Sequence, residues 1–153
     1  MIVGASYIGM EMCEAFRSIG IETQVIDILP RPALRWGQEF AKLMSEELDR
    51  NQVAFFPGTK PLAIEKGKDF ALKLITDKGN LDADIILMGL GTKRNTRLAE
   101  SMGIKMVESG AISVDFFQRT SREEVYAVGD CCEVFHRVAG KWVYNPLGDI
   151  ANK

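Results

Sequence analysis

The spacing of apolar positions changes period along the chain, and each change marks an expected element. Met1, Ile2 and Val3 form a short apolar run ahead of Gly4. Ile8, Met12, Phe16 and Ile19 then recur at helical spacing, and Gly20 is placed to end that helix. Residues 23–27 read as a short buried strand closed by the acid Asp27, after which Ile28-Leu29-Pro30-Arg31-Pro32 leaves as a proline-stiffened loop. Residues 38–50 pattern as a second helix with Phe40, Leu43 and Leu48 inward, and residues 53–56 as a third parallel strand. Residues 62–65, 70–76 and 81–83 are short strands parted by charged turns, among them Asp77-Lys78-Gly79-Asn80, which predicts an antiparallel meander. Residues 84–89 read as a fully buried strand, and residues 111–114 and 125–128 as two further short strands.

The chemistry concentrates at the first turn, Gly4-Ala5-Ser6-Tyr7-Ile8-Gly9-Met10-Glu11. Gly4 allows a tight strand-to-helix bend, and Gly9 removes the side chain where the helix presses on the sheet. N–H groups at the head of the helix, with the positive end of its dipole, suit a pyrophosphate. Ser6 departs from the full glycine fingerprint, but it is small and its hydroxyl can donate to phosphate. Asp27 follows Gly9 at about the 20-residue interval that brings a carboxylate to the adenosine ribose hydroxyls. Strand, glycine turn, helix, glycine stop, strand and terminal acid therefore agree on dinucleotide binding. Only three residues precede the turn where a strand usually has about five, so the chain is expected to start inside a domain.

Composition narrows the remaining classes. An apolar share of 46% with 26% charged residues is that of an ordinary globular protein, and a net charge of −2 offers no basic field for nucleic acid. No apolar run reaches the length of a membrane span and no signal segment opens the chain, so a cytoplasmic location is expected. The three cysteines, Cys13, Cys131 and Cys132, form no C-x-x-C pair and read as reduced thiols, and the single His136 lacks partners for a metal site. Gly89-Leu90-Gly91 would let a flat ligand ring approach backbone, and in Val128-Gly129-Asp130 the carboxylate is set to accept hydrogen bonds from a polyol.

The ordered set of the first glycine turn, Gly91 with Arg94-Asn95-Thr96, and Thr120 leading to Val125-Tyr126-Ala127-Val128-Gly129-Asp130 resembles the pyridine nucleotide-disulfide oxidoreductases. In that family an NAD(P)H-binding domain is inserted into an FAD-binding domain. The tail, with His136-Arg137 and Pro146-Leu147-Gly148-Asp149-Ile150-Ala151-Asn152-Lys153, is similar to its coenzyme A disulfide reductase and NADH oxidase branch. The fold implied is α/β: a Rossmann-like parallel sheet with helices on both faces and an antiparallel β-meander, followed by a fragment of a second, FAD-binding domain. Residues 1–114 would be the NAD(P)H-binding domain and residues 115–153 the partial FAD segment.

The resemblance also implies roles. Gly4, Ser6 and Gly9 would surround the pyrophosphate, with Tyr7 and Ile8 lining the approach to the flavin and Glu11 near the nicotinamide end. Asp27 would take the adenosine ribose and disfavour the 2′-phosphate of NADP(H), a preference that Arg31 and Arg35 could blur. Gly91 would contact the nicotinamide side, Asp130 the ribityl chain of FAD, and Asn152 a thiol substrate. The family's redox-active cysteine has no counterpart, so no catalytic residue is expected in this fragment, which alone would be inactive. The parent, a homodimer, would pass hydride from NAD(P)H to flavin and on to a disulfide or dioxygen. Two alternatives stay open: a flavoprotein reductase of a non-thiol acceptor such as ferredoxin or rubredoxin, and a nucleotide-sensing module.

Overall fold

The computed structural model describes residues 1–144 and divides into two compact units, Met1–Gly91 and a second from Thr92 onward. The first unit is built on four short parallel strands, β1 (Ile2–Val3), β2 (Gln24–Ile26), β3 (Ala54–Phe56) and β7 (Leu87–Met88), in the order β3-β2-β1-β7. Helix α1 (Tyr7–Ser18) connects β1 to β2, and α2 (Gln38–Arg50) connects β2 to β3. Between β3 and β7 the chain makes an antiparallel meander, β4 (Pro61–Lys66), β5 (Leu72–Thr76) and β6 (Gly79–Ala83). The Rossmann-like sheet and the meander are those the sequence predicts.

Alternation of side chains along β1 and β2 separates two cores. Ile2 and Val25 face α1 and α2 and pack with Met10, Cys13, Leu48 and Val53. Val3 and Ile26 point the other way, onto Leu74 and Ala83 of the meander. Both helices of this unit thus cover one face, and the meander takes the second face, where helices were also expected.

The inward stripes of the helices differ from those predicted. In α1 the buried residues are Gly9, Met10 and Cys13, with Met12 and Phe16 half-buried, while Ile8 and Ile19 are exposed. Gly9 is the point of closest approach to the sheet, and that contact sets the rotation of the helix. In α2 the buried residues are Ala41 and Leu48, whereas Phe40 and Leu43 face solvent. Ala41 is fully enclosed, so the small residue and not the bulky ones marks the packed face. Residues 84–89 are also less buried than predicted. Only Leu87 and Met88 join the ladder, and because β7 is an edge strand, Ile85 and Met88 remain exposed.

The second unit contains α3 (Arg97–Ser101) and a hairpin of β8 (Val134–His136) with β9 (Lys141–Val143), neither predicted from the sequence. Residues 111–114 and 125–128 do not form strands; isolated bridges join Met106 to Ile112, Ile112 to Cys132 and Arg119 to Tyr126. Within the unit from Thr92 onward, Ala99, Ile104, Ile112 and Val114 share one core with Ala127, Cys132 and Val134. The rings of Phe116, Phe135 and Trp142 pack mutually with centroids 5.1–5.7 Å apart beside the hairpin. Among the described residues no helix is long and apolar enough to cross a membrane, and no group of His, Cys, Asp and Glu is placed to hold a metal ion.

Candidate functional site

The strand order reverses between β1 and β7, since β2 and β3 extend the sheet on one side of β1 and β7 on the other. In open α/β sheets the crevice outside the carboxyl ends of strands at such a point is where ligands bind. Here that crevice is made of glycine. Gly4 adopts φ +107°, and a Cβ on it would stand 2.5 Å from the carbonyl oxygen of Gly89. A Cβ on Gly9 would penetrate the carbonyl oxygen of Gly4. Gly89 itself lies against Gly9 and donates its N–H to Val3 O at 2.7 Å, so three glycines lock the head of α1 onto the ends of β1 and β7. The sequence reads Gly89, with Gly91, as backbone access for a flat ligand ring; the clamp it forms with Gly4 joins residues too distant in sequence for local pattern to show it.

Helix α1 begins directly above this contact. Ser6 is the N-cap in extended conformation, its carbonyl accepts from Met10 N at 2.9 Å, and its side chain makes no capping bond. The hydroxyl therefore does not compete for the first-turn N–H groups, which helical bonding leaves without intrahelical acceptors. Ser6, Tyr7 and Ile8 are exposed at the head of the helix. Glu11, one turn further along, is exposed as well.

Asp27 stands at the carboxyl end of β2 and reaches back to the turn. Its Oδ2 accepts from Ala5 N at 2.6 Å and its Oδ1 from Leu29 N at 2.7 Å. The loop beyond is pinned to the same turn, because Ala33 N donates to Ala5 O at 2.7 Å. Gly4, Ser6, Tyr7, Ile8, Gly9 and Asp27 are thus gathered at one edge of the sheet. Gly91 follows β7 on the same edge, exposed and at φ +94°, a conformation that favours glycine.

Asp130 belongs to the second unit, exposed after Gly129, which adopts φ +82°. Asn152 lies outside the described residues. Beside Asp130 the vicinal thiols differ: Cys131 is half-buried, and Cys132 is enclosed, with its thiol pushed up to about 11 by burial and the adjacent Cys131. The Cys13 thiol, on the inward side of α1, has its pKa raised by burial.

The family pattern described as pyridine nucleotide-disulphide oxidoreductase matches residues 1–144. A CoA-dependent NAD(P)H sulfur oxidoreductase of Pyrococcus furiosus is 36% identical over 100% of this chain and 34% of its own length. An NADH oxidase of Streptococcus pneumoniae is 36% identical over 98% of this chain and 32% of its own. The structure of an NAD-dependent persulfide reductase from A. fulgidus superposes with a TM-score of 0.87 at 36% identity, covering 99% of this chain and 28% of that one. The chain spans about a third of the length of the curated relatives it matches.

Proposed function

Because the chain belongs to the pyridine nucleotide-disulphide oxidoreductase family, we propose that residues 1–114 supply the nicotinamide-dinucleotide site of an FAD-dependent oxidoreductase and residues 115–153 part of its flavin-binding segment. The observation that carries this reading is the glycine contact at the strand reversal, with the Asp27 carboxylate tied to the same turn. A Cβ at Gly4 or Gly9 would fill the space that brings the head of α1 to the sheet edge, so the residues present fit a dinucleotide pyrophosphate.

Gly4, Ser6 and Gly9 surround the pyrophosphate, Tyr7 and Ile8 line the approach to the flavin, and Glu11 lies toward the nicotinamide end. Asp27 holds the adenosine ribose with the lone pairs that its backbone contacts leave over, and Gly91 gives the nicotinamide side close access to backbone. Asp130 accepts from the ribityl hydroxyls of FAD, and Asn152 meets a thiol substrate. A bound dinucleotide would supply hydride to the flavin of the parent enzyme, and the reduced flavin would pass two electrons on to a disulfide, persulfide or dioxygen. The names of the relatives, a CoA-dependent sulfur oxidoreductase, an NADH oxidase and a persulfide reductase, support these acceptors. The chain's own part is to bind and orient the dinucleotide. We assign the parent enzyme to the cytoplasm as a homodimer.

Calorimetric titration of NADH into the 153-residue chain tests the site. Saturable binding is expected, with little change in Ser6→Ala, whose backbone donors remain. In Gly9→Val the affinity should fall at least about tenfold and the fold lose about 1–3 kcal/mol from overpacking. A wild-type chain that does not bind NADH, or a folded Gly9→Val variant that binds it equally well, would overturn the placement.

A further inference from the structure

We propose that Trp36 is a positioning residue for the nucleotide site, its indole fixing the ring of Tyr7 at the head of α1; this role rests on reading the glycine turn as the dinucleotide site. Tyr7 is the first residue of α1, directly after Ser6, and its ring lies 5.9 Å from that of Trp36 at an interplanar angle of 56°. Phe40, in the first turn of α2, meets the indole edge-on at 5.7 Å and 79°. The three rings form a ladder from the nucleotide turn to α2, each about half exposed, at 43%, 52% and 51%. Offset and edge-on pairs of this kind are attractive beyond the area they bury.

The backbone places the indole with care. Trp36 closes a 3-10 turn, Leu34–Trp36, whose capping residue Ala33 adopts φ +50°, a left-handed conformation that costs a non-glycine residue energy. The turn is held there by two bonds, Ala33 N to Ala5 O at 2.7 Å and Trp36 N to Ala33 O at 3.0 Å. The first of them attaches the turn that carries the indole to the glycine turn itself, so the position of Trp36 is registered to the proposed pyrophosphate site.

Below the ladder is a cavity of about 210 Å³ lined by Tyr7, Met10, Ala33, Trp36 and Met44, with Glu11 and Glu14 also bordering it. It offers a truncated ladder room to collapse into. With Trp36 in place, the Tyr7 ring is braced against α2 through Phe40; without it, that brace is lost and the cavity gives the ring room to lean away from the approach it lines. Trp36 thus acts through Tyr7 and prepares the site before the dinucleotide arrives, which lowers the ordering cost of binding.

The test is a double-mutant cycle on NADH affinity, with thermal unfolding as the check on folding. Trp36→Ala should weaken NADH binding about fivefold, the factor expected when one side chain must be ordered on binding. Trp36→Phe, which restores a ring at the same place, should stay within about twofold of wild type. Phe40→Ala removes the brace from outside the site without touching Tyr7 or Trp36 and should cost about twofold. Tyr7→Ala combined with Trp36→Ala should bind no more weakly than Tyr7→Ala alone. Equal binding by Trp36→Ala and wild type would overturn the role, and so would losses that simply add in the double variant. Failure of the wild-type chain to bind NADH would remove the dinucleotide reading along with this role, whereas wild-type binding that is insensitive to Trp36 would remove the role alone.

Discussion

Asp27 commits one carboxylate oxygen to Ala5 N and the other to Leu29 N, and so ties the end of β2 to the glycine turn. Each oxygen keeps a further lone pair, enough to accept from a ribose hydroxyl, and on the proposed placement the net negative charge would face the 2′-phosphate of NADPH. NADH should therefore bind more tightly than NADPH, by about tenfold. Asp27→Asn keeps an acceptor oxygen and removes the charge, so it should narrow that ratio while weakening NADH itself; competitive titration with both nucleotides decides, and tighter NADPH binding by wild type would refute the assignment. A second residue-level consequence concerns the thiols. With the Cys132 thiol pushed up to about 11 by burial and its neighbour, only about one molecule in a thousand is thiolate at pH 8. Iodoacetamide at that pH should alkylate half-buried Cys131 first, and Cys132 should react appreciably only above about pH 10 or after unfolding. Peptide mass mapping across pH reads this directly, and faster labelling of Cys132 than of Cys131 in the folded chain would contradict it.

Helices and strands were legible in the sequence to different degrees. Residues 38–50 were predicted helical and α2 spans Gln38–Arg50, since propensity and period are local properties. Its buried face was misread because the bulky Phe40 and Leu43 were weighted over the small Ala41, although Leu43 stands about 140° round the helix from Leu48 while Ala41, Met44 and Leu48 fall within about 60°. Leu48→Ala should accordingly cost about 2–5 kcal/mol, as expected for a buried leucine, while Leu43→Ala at 60% exposure should stay within about 0.5 kcal/mol of wild type. Urea unfolding of the two variants measures the difference, and similar losses would restore the stripe first read from the sequence. The meander was also legible, its charged turns marking every reversal. The short apolar runs at 111–114 and 125–128 were not, because a run that looks like a strand needs a partner in register to become one, and here each finds only isolated bridges.

In the molecule as a whole, two units each enclose their own core. The flavin contact proposed for the second unit rests on Asp130, which contributes one or two charge-assisted hydrogen bonds of about 1.5–3 kcal/mol each. Association costs about 4–15 kcal/mol before any net affinity appears. A purified polypeptide of these 153 residues should therefore bind NADH yet be colourless and show no NADH-dependent reduction of disulfide or dioxygen. An absorbance band at about 450 nm that copurifies with it, together with turnover, would show that flavin needs no more than these residues.

What the amino-acid sequence determined by itself was whatever depends on near neighbours: the glycine turn, the helix that follows it, the acid closing the next strand, and the meander. Those features rest on φ preferences, period and turn chemistry, each complete within about twenty residues. Tertiary structure alone decided which face of α1 was buried, that the meander covers the sheet's second face, that Gly89 comes home to Gly4 and Gly9, and that Trp36 reaches Tyr7. Each of these is a contact between segments brought together only when the chain closes on itself, where the fit of volumes at the interface, and no local pattern, selects the arrangement.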